Sequence, residues 1–196
     1  MVELIFATNN HHKAEEINLL LGADFKIMTL QQSGIEIDIP EPYDSLEENA
    51  AEKSRVIFNL TKKPCFAEDT GLEVFALQGR PGVKSARYAG ESRCSVANIT
   101  KVLEELENKK NRKAQFRTVI SLLSENQHHL FEGICEGTII ASLRGEHGFG
   151  YDPIFVPDGS DKTFGEMNIT DKSMFSHRAK AVAKMVEFLN EKARVI

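Results

Sequence analysis

MVELIFATNNHHKAEEINLLL (residues 1–21) is the stretch that decides the fold. Residues 2–7 form a short, largely apolar run, which predicts a buried strand. Thr8-Asn9-Asn10 is a turn and cap cluster, and a helical pattern follows from about residue 11 to residue 21. The apolar line of this helix comprises Ala14, Ile17, Leu20 and Leu21. A strand that leads through a polar turn into a helix is how many α/β proteins begin.

Farther along the chain, helices and strands alternate at first and a hairpin comes late. Further helices are predicted at about 46–60, 95–107 and 176–192, the first of them with a capping box formed by Ser45 and Glu48. Strands are predicted at 65–67, 72–76, 114–124, 128–136, 137–142 and near 154–156. We therefore predict one mixed-sheet α/β domain over residues 1–196.

The composition excludes several classes of protein. The chain has 196 residues, of which 41% are apolar and 27% charged, as in an ordinary globular protein. Its net charge of −5 argues against a broad nucleic-acid surface. The longest apolar runs fall short of the roughly 18 residues that cross a bilayer, so we expect no membrane span. Three dispersed cysteines (Cys65, Cys94 and Cys135) with no CxxC pair favour a reducing compartment, which predicts a cytoplasmic protein.

Three cations lie on the predicted apolar faces of separate helices. Lys13 is one turn before Ile17, Lys53 lies between Ala50 and Ile57, and Arg178 precedes the stripe of the last helix. A single inward cation usually buries only its aliphatic stem and keeps its charged head in water, but three such cations suggest a shared anion. The start of the first helix, with Thr8 and Asn10, also suits a phosphate, although both residues could serve only as caps.

Carboxylates occur where a buried strand ends. Glu68 and Asp69 are adjacent, and they would repel each other unless a cation lay between them. Mg²⁺ favours one or two carboxylates together with phosphates and water, and Glu41 in an acidic loop could add another ligand. The alternative for Glu68–Gly71 is a solvated turn.

Two later segments suggest a site for a flat heterocycle. Residues 148–153 (GFGYDP) place two aromatic rings and an acid among glycines, so the rings could stack and the loop could read a base edge. A tight turn with both rings in the core is the alternative. Lys172, His177 and Arg178 form a basic cluster, which could also be a solvated helix start.

The order of these motifs resembles the inosine triphosphate pyrophosphatase family. The resemblance covers residues 8 to about 181 and includes ATNNHHK, SLEENAAEKS, FAEDTGLEV, RPGVKSARYAG, GFGYDPIF and DKSMFSHRAKA. It implies a two-lobed mixed-sheet fold with the active site in the central cleft, in a homodimer. It also implies Mg²⁺-dependent hydrolysis of the purine nucleotides ITP, dITP and XTP to the monophosphate and pyrophosphate.

The resemblance also implies roles for individual residues. Asp69 would be the catalytic base, and Glu41 and Asp69, with Glu68 beside them, would serve the metal. The implied substrate contacts are Thr8, Asn9, Asn10, His11, His12, Lys13, Lys53, Thr70, Phe149, Gly150, Tyr151, Asp152, Lys172, His177 and Arg178. Asn9 and His12 replace glycines that many bacterial relatives carry in this loop.

Two other interpretations remain. One is a Maf-type pyrophosphatase that acts on other altered nucleotides, and the other is a nucleotide-binding regulator without catalysis. The GFGYDP and SHR motifs favour the purine family over the Maf type. Glu41, Glu68 and Asp69 argue against a pure binder, because binding alone needs no base.

Overall fold

The computed structural model describes residues 2–21, 25–125 and 127–193. The first elements are strand β1 (Val2–Phe6), helix α1 (His11–Leu20), strand β2 (Phe25–Thr29), helix α2 (Leu46–Thr61) and strand β3 (Cys65–Val74). They are followed by β4 (Pro81–Gly82), α3 (Ser95–Glu105), β5 (Lys113–Ser124), β6 (Gln127–Ile139), β7 (Phe155–Pro157), α4 (Ile169–Ser173) and α5 (His177–Ala193).

The strands form a seven-stranded mixed sheet in the order β2-β1-β3-β5-β6-β7, with β4 beside β3. β1 runs parallel to β2 and β3, whereas β4 is antiparallel to β3 and β7 is antiparallel to β6. The predicted mixed-sheet α/β class is confirmed. Within the described ranges, no helix is long and apolar enough to span a bilayer.

The chain divides into two compact units. Unit 1 takes its residues from 1–69, 118–133 and 178–196, and unit 2 takes its residues from 70–117 and 134–177. Strands β3, β5 and β6 each supply residues to both units.

In unit 1, successive residues of β1 pack into two different clusters. Leu4 and Phe6 join α1 and α5 in one cluster, where the rings of Phe6 and Phe66 stack at 4.5 Å. Ile5 and Ala7 join a second cluster that includes Ile57 of α2. Because side chains alternate along a strand, β1 is buried on both faces. The predicted packing faces of α1 and α5 are confirmed.

Strand β3 differs from the prediction. The sequence suggests two short strands separated by a turn at Glu68–Gly71, but β3 is continuous over ten residues. Glu68 and Asp69 are 2% and 6% exposed, so the solvated-turn alternative is wrong. The strand can carry two carboxylates through the interior because cations neutralise them, as described below.

Unit 2 has its own core. This core contains Leu72, Val102, Leu106, Phe116, Ile139, Tyr151, Phe155 and Phe164. Its predicted elements are confirmed in outline, but the separate strand predicted at 137–142 is absent: β6 includes the first half of that segment and ends at Ile139. The short strands β4 and β7 and the helix α4 complete the unit.

We expect Gly145→Ala to destabilise the protein more than Gly79→Ala. Both glycines have a φ of +80°, which disfavours any side chain by roughly 1–2 kcal/mol. A Cβ at Gly145 would also overlap the carbonyl oxygen of Gly165, whereas nothing lies within 4 Å of a Cβ at Gly79. Urea unfolding of the two variants measures the difference. Equal losses of unfolding free energy would contradict the close approach at Gly145.

Candidate active site

The loop between β1 and α1 is held by its own polar side chains. Thr8 Oγ1 accepts a hydrogen bond from Asn10 N–H at 3.1 Å, and Asn10 Oδ1 accepts one from Lys13 N–H at 3.2 Å. Asn9 Nδ2 donates to the carbonyl oxygen of Ile37 at 3.0 Å. Asn10 is therefore the N-cap of α1, whereas Thr8 closes the turn that precedes it, and the predicted contact of both residues with substrate stays a prediction.

Helix α1 opens with two histidines, His11 and His12, of which His12 stands at one of the positions where the resemblance implies a glycine. The two rings lie 4.0 Å apart between centroids and are tilted by 39°, and His12 Nδ1 is 3.9 Å from a Glu15 oxygen. The free backbone N–H groups at the start of a helix favour an anion.

Arg178 lies in a buried chain of alternating charges. Its guanidinium donates two hydrogen bonds of 2.8 Å to the two oxygens of Glu68, and its third nitrogen pairs with Glu16. Lys13 Nζ contacts Glu68 Oε1 at 3.0 Å. Arg178 is only 1% exposed, whereas the Lys13 side chain is 17% exposed. Lys13 is thus the cation of this network that solvent and ligands reach most easily.

This network controls the ionisation of Glu68. Burial alone would raise the pKa of Glu68, but the charges and hydrogen bonds of Arg178 and Lys13 outweigh burial and hold that pKa far below its ordinary value. Burial would likewise lower the pKa of Arg178, and the two carboxylates raise it instead. Two cationic and two anionic side chains make up the network, so their formal charges cancel.

A second cluster joins Lys53, Glu41 and Asp69. Lys53 Nζ lies 2.5 Å from Glu41 Oε1 and 3.3 Å from Asp69 Oδ1, so one ammonium bridges two carboxylates. Burial acts to lower the pKa of Lys53, and these two carboxylates reverse the effect and raise it. Burial raises the pKa of Asp69; Lys53 and Lys13 oppose this shift and Glu41 adds to it.

The two clusters differ in their capacity for a metal ion. Glu68 gives both oxygens to Arg178, so an ion there would have to displace existing bonds. Glu41 and Asp69 share a single lysine, and the three groups carry one excess negative charge when ionised. No group of three or more His, Cys, Asp or Glu side chains in the described residues forms a metal cage. Two carboxylates that need phosphate and water to complete the ligand set nevertheless suit Mg²⁺.

In unit 2, Asp152 ties the glycine-rich loop to α4. Its Oδ2 accepts hydrogen bonds from Phe149 N–H at 2.8 Å and from Lys172 Nζ at 2.6 Å, and both Asp152 and Lys172 are buried. Lys172 Nζ also lies 4.9 Å from the centroid of the half-buried Phe149 ring. Gly148 (φ +74°) must be glycine, because a Cβ there would overlap Asp152, whereas Gly150 faces open space. Phe149, Asp152 and Lys172 are thereby brought together.

Tyr151 and His177 are packed inside unit 2. Tyr151 donates its hydroxyl to the carbonyl oxygen of Ser85 at 2.8 Å, and burial raises the pKa of this hydroxyl. The ring of His177 stacks on Phe116 with 4.7 Å between centroids. Tyr151 therefore lies in the core, as the tight-turn alternative for residues 148–153 predicts. His177 is 2% exposed, so the alternative of a solvated helix start is wrong for this residue. Contacts of these residues and of Thr70, within β3, with a substrate stay predictions.

Two residues near this chemistry are absent from the sequence-based set. Glu16 lies three residues after Lys13 on the buried face of α1, a spacing that could have indicated an inward pair. Asn49 is fully buried and contacts Asp69, and its position four residues before Lys53 on the same face of α2 could have indicated that it points inward.

The fold and this site define a class of protein: a mixed-sheet α/β protein with buried carboxylates that are paired with lysine and arginine side chains. The chain belongs to the Ham1 family, whose model matches residues 4–188.

Individual relatives match over nearly the full length. A dITP/XTP pyrophosphatase from Porphyromonas gingivalis is 50% identical over 190 residues, which cover 96% of this chain and 98% of the relative. The solved structure of the Staphylococcus aureus Ham1 protein matches with a TM-score of 0.88 and 38% identity, covering 97% of this chain and 99% of that one. A HAM1 protein structure from Coxiella burnetii matches with a TM-score of 0.89 and 35% identity, covering 97% and 100%.

Proposed function

We propose that this protein is a nucleoside triphosphate pyrophosphatase that hydrolyses the noncanonical purine nucleotides dITP, ITP and XTP to the monophosphate and pyrophosphate. Relatives named dITP/XTP pyrophosphatase at 38–50% identity support the activity. The observation that carries the chemistry is the buried Asp69, which shares Lys53 with Glu41.

Asp69 is the base of the proposed reaction. Its carboxylate accepts a proton from the water that attacks the α-phosphorus, and burial brings its pKa toward the range in which a base works at neutral pH. We propose that Glu41 and Asp69 would hold a divalent ion, Mg²⁺. When bound, this ion would neutralise the charge of the triphosphate. Lys53 holds the two carboxylates in place before substrate arrives.

The phosphates are bound by unit 1 residues of unequal accessibility. Lys13 and the N–H groups at the start of α1 are the proposed contacts for the leaving pyrophosphate, with Thr8, Asn9, Asn10, His11 and His12 around them. Arg178 keeps Glu68 ionised, and Glu68 in turn holds Lys13. This indirect role for Arg178 replaces the shared-anion role that its helical position suggests.

Three further features complete the proposal. Recognition of the base is assigned to Phe149 and the Lys172–Asp152 pair, because a stacking ring and buried donors can read a keto group. The working form is a homodimer, and the protein acts in the cytoplasm. The family resemblance supports the dimer, and the dispersed, unpaired cysteines support the compartment.

We expect kcat/KM for ITP to exceed kcat/KM for ATP by a factor on the order of 10²–10⁴. Buried donors matched to a 6-keto group are left unpaired by the 6-amino group of ATP. Initial rates of pyrophosphate release, measured over a range of ITP, dITP, XTP, GTP and ATP concentrations with Mg²⁺, test this. Equal kcat/KM values for ITP and ATP would contradict the assignment.

The same assay separates the alternatives. A nucleotide-binding regulator would retain affinity and release no pyrophosphate from any nucleotide. A Maf-type enzyme would prefer altered nucleotides outside the ITP and XTP group, and the Ham1 match argues against it.

A further inference from the structure

Asn49 makes three contacts that join the acidic loop to Asp69. It lies in α2, is fully buried and accepts a hydrogen bond at Oδ1 from Tyr43 N–H at 3.0 Å. Its Nδ2 donates to the Tyr43 carbonyl oxygen at 3.1 Å and to Asp69 Oδ2 at 3.4 Å. The two bonds to the Tyr43 backbone fix the orientation of the amide, because a flipped amide would set donor against donor and acceptor against acceptor. The second Nδ2 hydrogen is therefore directed to Asp69.

The acidic loop connects the fixed Tyr43 backbone to Glu41. Only Pro42 separates Tyr43 from Glu41, and the proline ring restricts φ, so the backbone between the clamp and Glu41 has few free rotations. The contact with Lys53 then orients the Glu41 carboxylate. At the other end, Asp69 receives Asn49 at one oxygen and Lys53 at the other. Asn49 and Lys53 are four residues apart in α2 and thus share one face of the helix.

We infer that Asn49 is a positioning residue that sets how the carboxylates of Glu41 and Asp69 face each other. The inference rests on the proposed function for its catalytic consequence. Lys53 neutralises the two carboxylates, but its flexible stem permits many separations between them. The rigid amide of Asn49 supplies the fixed geometry that an ion with strict ligand requirements needs.

Unit 2 contains a matched control. Asn98 holds the same position in α3 as Asn49 does in α2, four residues after the N-cap, and it is also buried. Its Oδ1 accepts from Ala89 N–H at 2.7 Å and its Nδ2 donates to the Ala86 carbonyl oxygen at 2.9 Å. Asn98 therefore makes the same kind of backbone clamp, without the bond to Asp69.

The test compares Asn49→Ala with Asn98→Ala in two measurements. The first is binding of Mn²⁺ alone to the nucleotide-free protein, followed by the loss of the free-ion EPR signal. The second is pyrophosphate release from ITP, with circular dichroism to confirm that each variant is folded at the assay temperature. We expect Asn49→Ala to weaken Mn²⁺ binding and to lower kcat, each by roughly 10–100-fold, with KM within about threefold. Asn98→Ala should leave both quantities within about threefold, although its Tm falls by a similar amount.

Asn49→Leu is the second variant, because it is nearly isosteric and leaves no large cavity if Asn49→Ala fails to fold. It removes the amide acceptor and both donors without adding a charge beside Asp69, so we expect the same loss of Mn²⁺ binding and kcat. Equal effects at the two asparagines, or wild-type values for folded Asn49 variants, would overturn the inference, as would a wild type that binds no Mn²⁺. If Mn²⁺ binding weakens only in the Asn49 variants but wild type releases no pyrophosphate, the proposed function fails and the positioning role stands.

Discussion

Asp69→Asn is expected to lower kcat for ITP hydrolysis by roughly 10²–10⁴, which is the usual contribution of a positioned general base. The amide cannot accept the proton of the attacking water, and it is also a poorer ligand for Mg²⁺. The fold should survive, because the amide is nearly isosteric and Lys53 keeps its ion pair with Glu41.

The matched control for this prediction is Asp158→Asn. Asp158 is an exposed aspartate that pairs with Lys113 at 3.0 Å, so its loss should leave kcat unchanged. Pyrophosphate release and circular dichroism of both variants provide the measurement. A folded Asp69→Asn protein with activity within about threefold of wild type would exclude Asp69 as the base.

Arg178→Ala is expected to reduce the free energy of unfolding by roughly 3–5 kcal/mol, the usual effect of removing one partner of a buried ion pair. The change would remove the guanidinium that pairs with two buried carboxylates, Glu68 and Glu16. The position of Arg178 on an apolar helix face suggests, from the sequence alone, a cation that shares an anion with Lys13 and Lys53. Because Glu16 and Glu68 already pair with Arg178, its loss should destabilise the protein even without a ligand.

The destabilisation by Arg178→Ala should depend on pH. In wild type, Arg178 and Lys13 hold the pKa of Glu68 below its unfolded value of about 4.3. The Arg178–Glu68 ion pair therefore stabilises the fold above that pH, and this stabilisation is lost as the pH falls. In the variant, burial without Arg178 favours protonated Glu68. The difference in unfolding free energy between wild type and variant should therefore narrow as the pH falls from about 5 to about 3.

Urea unfolding at several pH values measures this difference. Arg144→Ala is the control, because Arg144 forms a half-exposed pair with Glu166 at 3.4 Å and should contribute at most about 1 kcal/mol. A loss for Arg178→Ala as small as that of Arg144→Ala, or one independent of pH, would show that the network does not support the fold.

Much of this arrangement could be predicted from local patterns. Periodicity places α1, α2, α3 and α5 within a few residues, because each helix buries one apolar stripe. The inward positions of Lys13, Lys53 and Arg178 follow from the same spacing. What spacing cannot provide is the partner of each cation: Glu16, Glu41, Glu68 and Asp69 come from distant parts of the chain.

The remaining errors have identifiable causes. Glu68–Gly71 has the composition of a turn, and only tertiary ion pairs allow β3 to continue through it. Leu60 of α2 and Val96 of α3 are apolar but 61% and 67% exposed, because an apolar residue near a helix end does not reveal where the neighbouring element ends. Helical spacing from Lys53 could have placed Asn49 inward, but not its partners, which are a backbone six residues away and a carboxylate twenty residues away.

Hydrolysis of ITP in ¹⁸O-labelled water tests the central claim most directly. If Asp69 activates water for attack at the α-phosphorus, ³¹P NMR should show inosine monophosphate and pyrophosphate in equal amounts, with the label in the monophosphate alone. Label in pyrophosphate would place the attack at the β-phosphorus. Formation of the diphosphate and inorganic phosphate would contradict the proposed reaction altogether.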